Sequence, residues 1–420
     1  MSAPSPDQPY TGAISTNTEL EMNTTHAVTD FRNRVNTFFT CEVPPILDQH
    51  TEFRPRGSAY RRALFDSGLA GLNIPRIYGG QGMPDEFESA FAALSVERTP
   101  PEDKVHQVGE HLILPVLIEF GEHDLAAEFG SALLSGTQIG CQLFSEPDAG
   151  SDLPGVRTRA VSDGGDRWIV SGQKVWTSYA QYADVGILLA RTDPEAPKHK
   201  GLSMFVLDMH APGVEVRPLR QMTGDSEFNE VFLDEVHIPS HRMIGAPGDG
   251  WKIATSVLGR ERRSVSRSGS ASSRRPLPVD TLVRLAEHNG RLGESAVQQD
   301  LLEAWMGERA AALISSRISA RTLAGHLPGP ETSLGKLHRT RNGQRNARVA
   351  ADLAFAAGAS WDLSDADTAA LAREILDAPG LGIGGGTDEI QRNTIGERIL
   401  GLPREPSPER GTPFNRLKNS

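Results

Sequence analysis

Two stretches of the chain carry residue types that could hold a flat, polar heterocycle. The first is Phe144-Ser-Glu-Pro-Asp-Ala-Gly-Ser-Asp152, a turn-forming run that offers the Ser145 and Ser151 hydroxyls and free backbone N–H groups. The second is Gln173-Lys-Val-Trp-Thr-Ser178, a β-patterned run in which Trp176 supplies an aromatic face. Each also has a plain reading. Ser-Glu-Pro-Asp-Ala-Gly is good turn chemistry anywhere, and a tryptophan in a strand is commonly core.

The elements that must position these residues follow from periodicity. From about Thr29 to Gly140 the patterns are helical, with Phe31, Val35, Phe38 and Phe39 on one stripe and Tyr60, Ala63, Leu64 and Leu69 on another. Leu112 to Phe120 reads as a buried apolar helix. Between Ile139 and Ile244 the period shortens, and strands are expected at Arg167–Val170, Val185–Leu189, Leu202–Leu207 and Val231–Val236. Asp163-Gly-Gly-Asp166 is a hairpin turn between two of them. Helical patterns return after Gly250 and run to Leu400. Residues 1–25 are Ser-, Thr-, Pro- and Asn-rich and predicted disordered, and 406–420 reads as a loose tail.

Composition narrows the function classes. An apolar content of 38% over 420 residues supports a large core without metals or disulfides. Two cysteines, Cys41 and Cys141, do not make a disulfide scaffold. No apolar run approaches a membrane span and no secretory leader is visible. A net charge of −11 argues against nucleic acid as a partner. The run Arg260-Glu-Arg-Arg-Ser-Val-Ser-Arg267, continued by Arg274-Arg275, reads as a solvated helix end or as a basic lip for a phosphate-bearing substrate. His106 and His111 have the wrong interval for a metal pair on one helix face. Gly380-Leu-Gly-Ile-Gly-Gly385 satisfies G-x-G-x-x-G in form, but a helical pattern precedes it and too little chain follows for a βαβ unit. What survives is a glycine-rich lead into a helix capped by Thr387, a start that suits an anion.

Together the two opening stretches resemble the acyl-CoA dehydrogenase family, whose middle domain carries Thr/Ser-Glu-Pro-x-Ala-Gly-Ser-Asp followed by Gly-x-Lys-x-Trp-x-Thr/Ser. Further matching segments fall in order: Thr192-Asp193, Gly201-Leu-Ser-Met-Phe-Val206, Gly213-Val-Glu-Val216, Phe228-Asn-Glu-Val-Phe-Leu-Asp234, Gly386-Thr-Asp-Glu-Ile-Gln-Arg392 and Glu397-Arg-Ile-Leu-Gly-Leu-Pro403. The resemblance covers roughly Phe31 to Glu405. It implies an α+β multi-domain chain: an N-terminal helical domain (26–140), a middle β-barrel or sandwich domain (141–246) and a C-terminal four-helix-type bundle (247–405). It further implies a cytoplasmic FAD enzyme that acts on acyl-CoA and delivers electrons to an electron-transfer flavoprotein. A homodimer or homotetramer is expected, with a hetero-oligomer as the alternative.

The family's chemistry is removal of an acidified α-proton by a carboxylate while a β-hydride passes to flavin N5. Many members carry the base in a Tyr-Glu-Gly-Thr segment before the last helix. Here that segment reads Gly384-Gly-Gly-Thr387, so Gly385 stands at the base position and cannot take a proton. A second family solution puts the glutamate on the first helix after the β domain, where this chain has Gly259-Arg-Glu-Arg262. Glu261 is therefore the candidate base, with Asp388 and Glu389 as rivals that also suit the start of a helix. Carried over for the flavin are Phe144, Ser145, Ser151, Trp176, Ser178, Thr387 and Glu389, with Arg291 and Gly358 on the adenine side. For the acyl-CoA they are Ser151, Arg262, Gly385 and Gly386. Where many members have Gln-x-x-Gly-Gly, this chain has Leu353-Ala-Phe-Ala-Ala-Gly358 and no glutamine. Three other readings stand beside this one: an oxidase or monooxygenase of the same fold, a non-catalytic partner subunit, and an acyl-CoA-binding scaffold.

Overall fold

The computed structural model describes residues 27–95, 98–266, 276–323, 329–354, 366–406, 409 and 411–417. Residues 1–25, the arginines of 267–275, Gly358 and the Arg262 side chain lie outside the described set. The N-terminal part is built from α1 (27–37), α2 (Val43–Gln49), α3 (Phe53–Asp66), α4 (Asp85–Ser95), α5 (Lys104–Val108), α6 (Leu114–Phe120) and α7 (His123–Ser135). The stripe read at Phe31, Val35, Phe38 and Phe39 is buried with Tyr60 and Leu64 in one cluster, as amphipathic spacing requires. A π turn at Gly109–Ile113 joins α5 to α6.

Eight strands form one sheet: β1 (Gly140–Leu143), β2 (Arg159–Ser162), β3 (Arg167–Ser178), β4 (Val185–Arg191), β5 (Leu202–Asp208), β6 (Val214–Leu219), β7 (Phe228–Pro239) and β8 (Met243–Ile244). The order is β6-β7-β3-β2-β4-β5-β8, with β1 added in parallel on β4. The hairpin read at 163–166 joins β2 and β3. Ser162 lies opposite Trp168, Gly164 takes φ +84°, and Asp163 Oδ1 accepts the Gly165 amide at 2.9 Å.

Strands β4 and β5 are buried on both faces, and alternation sorts their side chains. Val185, Ile187, Leu189, Met204 and Val206 pack with α6 and α7, whereas Leu188, Ala190, Phe205 and Leu207 face β3 and β7 across the curved sheet. Trp168 of β3 meets Phe205 of β5 edge-on at 5.6 Å, although the two strands are not neighbours. Strand β3 runs eight residues past the Arg167–Val170 expected from sequence, and β7 begins at Phe228 rather than Val231. Polar side chains hid these ends. Gln173 bonds Glu230 across the strands at 3.1 Å, and Lys174 is fully buried.

The C-terminal helices are α8 (Gly250–Ser266), α9 (Val279–His288), α10 (Ser295–Leu323), α11 (Thr332–Ala354), α12 (Ala366–Asp377) and α13 (Asp388–Arg398). Ile253, Ala254 and Val257 make one face of α8 and bury it against the sheet and the N-terminal helices. No helix among the described residues is long and apolar enough to cross a membrane.

Candidate functional site

The Ser-Glu-Pro loop leaves β1 and is fastened to β3 by a buried ion pair. Glu146 Oε1 accepts from Lys174 Nζ at 2.8 Å and from the Thr158 amide at 2.9 Å, while Oε2 accepts the Arg157 amide at 2.6 Å. Lys174 Nζ also donates to the Phe144 carbonyl at 2.9 Å, and the Val175 amide donates to the Ser145 carbonyl at 2.9 Å. Burial alone would push the Glu146 carboxyl up; the Lys174 ammonium and these donors hold it below the ordinary carboxylate value. The glutamate and lysine of the two motifs are thus partners, and their contact fixes the loop against the strand.

That contact sits beside a β-bulge. Lys174 pairs with Val231 and Thr177 with Asn229, so three steps on β3 face two on β7. Buried Asn229 steadies it by donating Nδ2 to the Thr177 carbonyl at 3.0 Å. The extra residue puts Trp176 at φ +61°, with the residue 60% exposed and its ring resting edge-on against Phe228 at 5.9 Å. A left-handed non-glycine residue costs about 1–3 kcal/mol, and such strain collects where a side chain must be aimed. Ser178 ends the strand, half-buried, and Ser151 is exposed at the loop tip. Phe144, by contrast, turns its ring into the core, so only its backbone borders this face.

A second group forms where α8 meets the start of α13. Gly385 and Gly386 adopt φ +66° and +86°, and Thr387 caps α13 by accepting the Ile390 amide at 3.3 Å. Buried Gln391, which sequence reasoning passed over, reaches back to the Gly385 and Gly386 carbonyls at 3.2 and 3.1 Å. Half-buried Glu261 approaches from α8, and its Oε1 lies 3.9 Å from where a Cβ on Gly385 would stand. Helix α8 is anchored just before it: Arg260 and, one turn earlier, Ser256 both donate to Glu119 of α6, at 2.7 and 3.1 Å. Of the rival carboxylates, Asp388 is held by buried Lys336 at 3.3 Å, and exposed Glu389 pairs with Arg392 at 3.0 Å.

The structure therefore gathers Ser145, Trp176 and Ser178 at one strand end and Glu261, Gly385, Gly386 and Thr387 at one turn. Arg291 stands with other residues. It pairs with Glu294 and donates to the Asp352 carbonyl at 2.8 Å, lining a groove of about 440 Å3 with Val297, Val349 and Leu353. Among the described residues no group of three or more His, Cys, Asp or Glu could hold a metal ion.

Comparison with known proteins agrees with this layout. Residues 25–137, 141–236 and 248–400 match the N-terminal, middle and C-terminal domains of acyl-CoA dehydrogenase. The chain is 36% identical over 366 residues to the acyl-CoA dehydrogenase IpdE1 of Mycolicibacterium smegmatis, covering 85% of this chain and 91% of that protein. It is 40% identical over 347 residues to the acyl-CoA dehydrogenase FadE34 of Mycobacterium tuberculosis, covering 81% of this chain but only 46% of that longer protein. Among solved structures, the Tcur3481–Tcur3483 steroid ACAD is similar with a TM-score of 0.75 at 25% identity, covering 90% of this chain and 98% of that one. The ChsE4–ChsE5 complex of Mycobacterium tuberculosis is similar at 0.72 and 26%, covering 91% and 98%. The chain belongs to the acyl-CoA dehydrogenase family of flavoprotein oxidoreductases.

Proposed function

We propose that the protein catalyses FAD-dependent α,β-dehydrogenation of an acyl-CoA thioester, with Glu261 as the base that takes the α-proton. The observation that carries this reading is the meeting of Glu261 with Gly385. The Glu261 carboxylate oxygen borders the space that a side chain at 385 would enter. Asp388 is committed to Lys336, which favours Glu261 over its rival. The residues present fit FAD. A large aromatic face is left exposed on a strained bulge, with the Ser145 and Ser178 positions beside it. When bound, FAD supplies the two-electron acceptor for the β-hydride.

The chain's own groups would divide the remaining work. Trp176, Ser145 and Ser178 hold and orient the ring system. The amides at the start of α13, beyond Gly385 and Gly386, face negative charge favourably and would stabilise the thioester oxygen as the α-proton leaves. Ser151 and Arg262 serve the acyl-CoA. Electrons pass on to an electron-transfer flavoprotein. The likeness to a steroid ACAD favours a bulky acyl group over a short straight chain. A second subunit, of this chain or a sister chain, is expected on α10, where Leu302, Trp305, Met306 and Leu313 are each more than half exposed.

The test is anaerobic titration of the FAD-loaded protein with straight, branched and ring-bearing acyl-CoAs. Bleaching of the oxidised flavin band by the bulky members supports the reading. A band that survives every thioester sinks it, and oxygen consumption without an added acceptor would move the activity to an oxidase.

A further inference from the structure

The sequence reads 406–420 as a loose tail, yet residues 411–417 dock on the middle domain. Pro413 bridges Pro197, the Phe414 amide donates to the Ala196 carbonyl at 3.0 Å, and Asn415 donates to the Pro194 carbonyl at 3.0 Å and to Glu195 at 2.8 Å. This places the Phe414 ring over the guanidinium of Arg191, whose Cζ lies 3.4 Å from the ring centroid. Arg191 is 4% exposed, and each of its three guanidinium nitrogens donates to a carbonyl in one of two loops. Nε reaches Val156 at 3.1 Å and Nη2 reaches Pro154 at 2.6 Å, both in the continuation of the Ser-Glu-Pro loop. Nη1 reaches Lys198 at 3.2 Å in the loop between β4 and β5.

The same β4–β5 loop has two more attachments. Lys198 Nζ sits 2.9 Å from both Asp152 oxygens, next to Ser151, and His199 packs edge-on against Trp251 at the start of α8 with centroids 5.1 Å apart. One buried cation therefore ties together the loop that carries Ser151 and the loop that touches α8. An aromatic ring on a desolvated guanidinium strengthens such a knot, because water can no longer compete for the cation.

We infer that Phe414 is a positioning residue: through Arg191 it holds the Ser151–Val156 segment in place for the acyl-CoA and its flavin, with the C-terminal segment as a strap. The inference rests on the reading of the Ser151 loop as part of the binding site. Phe414→Ala is expected to raise both the KM for acyl-CoA and the Kd for FAD about tenfold, with kcat changed less than twofold. Phe414→Trp, which keeps an aromatic face, should restore both. A readout without turnover is trypsin cleavage at Lys198 and Lys200 in the FAD-loaded full chain, which Phe414→Ala should accelerate.

Unchanged KM, FAD affinity and cleavage in Phe414→Ala would overturn the strap. So would a joint fall in kcat and melting temperature with KM unmoved, because that marks a general stabilising contact. If the wild-type protein holds FAD but no acyl-CoA bleaches it, the dehydrogenase reading fails separately, and FAD affinity and cleavage still decide the strap.

Discussion

The strand end that carries Trp176 and the turn that carries Gly385 solve the problem of placing a side chain in opposite ways. At the strand end everything is over-determined: a fully buried ammonium, a carboxylate with several donors, a bulge and a left-handed tryptophan. At the turn, two left-handed glycines stand side by side, and the carboxylate that borders Gly385, the proposed base Glu261, comes from another helix. A rigid platform suits a flat cofactor that must not tilt. On the proposed reading of Glu261, the difference teaches that a base can be supplied from a second element while the space beside Gly385 is kept.

The largest break should come from the platform. Lys174→Met strands Glu146 as a buried, unpaired carboxylate, and removing one partner of such a pair costs about 3–5 kcal/mol. Denaturant melts should show that loss, and the purified protein should come off the column with little or no flavin. A Lys174→Met protein of wild-type stability and colour would show that the two motifs are tied by something else.

Acid should separate the supports of the two regions. The π turn beneath α8 carries Glu110, which bonds Arg61 at 2.8 Å and the Gly71 amide at 2.7 Å, and buried His106 lies close by. Burial and the Arg61 charge push His106 down to about 3. Burial by itself would raise Glu110, but Arg61 and its other donors bring it down to about 2. Both folded values lie below the unfolded ones, so the unfolded chain binds the extra protons. The difference is absent above about pH 6.5; stability then falls as pH drops from there toward 3 through His106 and from about 4.5 toward 2 through Glu110, by up to about 1.4 kcal/mol per group for each pH unit. Asp103, raised by burial, opposes part of this loss. His106→Leu should flatten the fall in melting temperature between pH 6 and 4; an unchanged slope would discard His106 as its source.

Smaller effects sharpen the other side. Gly385→Ala forces a Cβ into φ +66°, which costs about 1–2 kcal/mol, and sets a methyl against Glu261. Flavin content should hold while reduction slows; a loss of flavin instead would place this turn in the platform. Glu119→Gln weakens a partly exposed anchor of α8, worth below about 1 kcal/mol. It should slow reduction a few-fold without shifting the melting temperature, and a rate equal to wild type would mean α8 needs no such anchor.

Much of this was legible in the residues. The order of helical, β and helical parts follows the change of period, and both motifs stand where the spacing put them. Partnership was harder to read. Glu146 and Lys174 are visible as motif letters, but only three-dimensional pairing turns them into one buried contact. The bulge is invisible because its polar residues break the alternation that marks a strand. Gln391 looks like a surface helix residue until the Gly385–Gly386 carbonyls are seen turning toward it. Phe414 was lost in a Pro- and charge-rich tail, since a single aromatic carries no period.

Glu261 as the base beside Gly385 is the central proposal. Stopped-flow reduction of FAD-loaded Glu261→Gln by a bleaching acyl-CoA tests it most directly. A rate lowered by roughly 10²–10⁴, with flavin content and acyl-CoA affinity retained, is the expected result. Reduction at the wild-type rate would contradict it and return the search for the base to the start of α13.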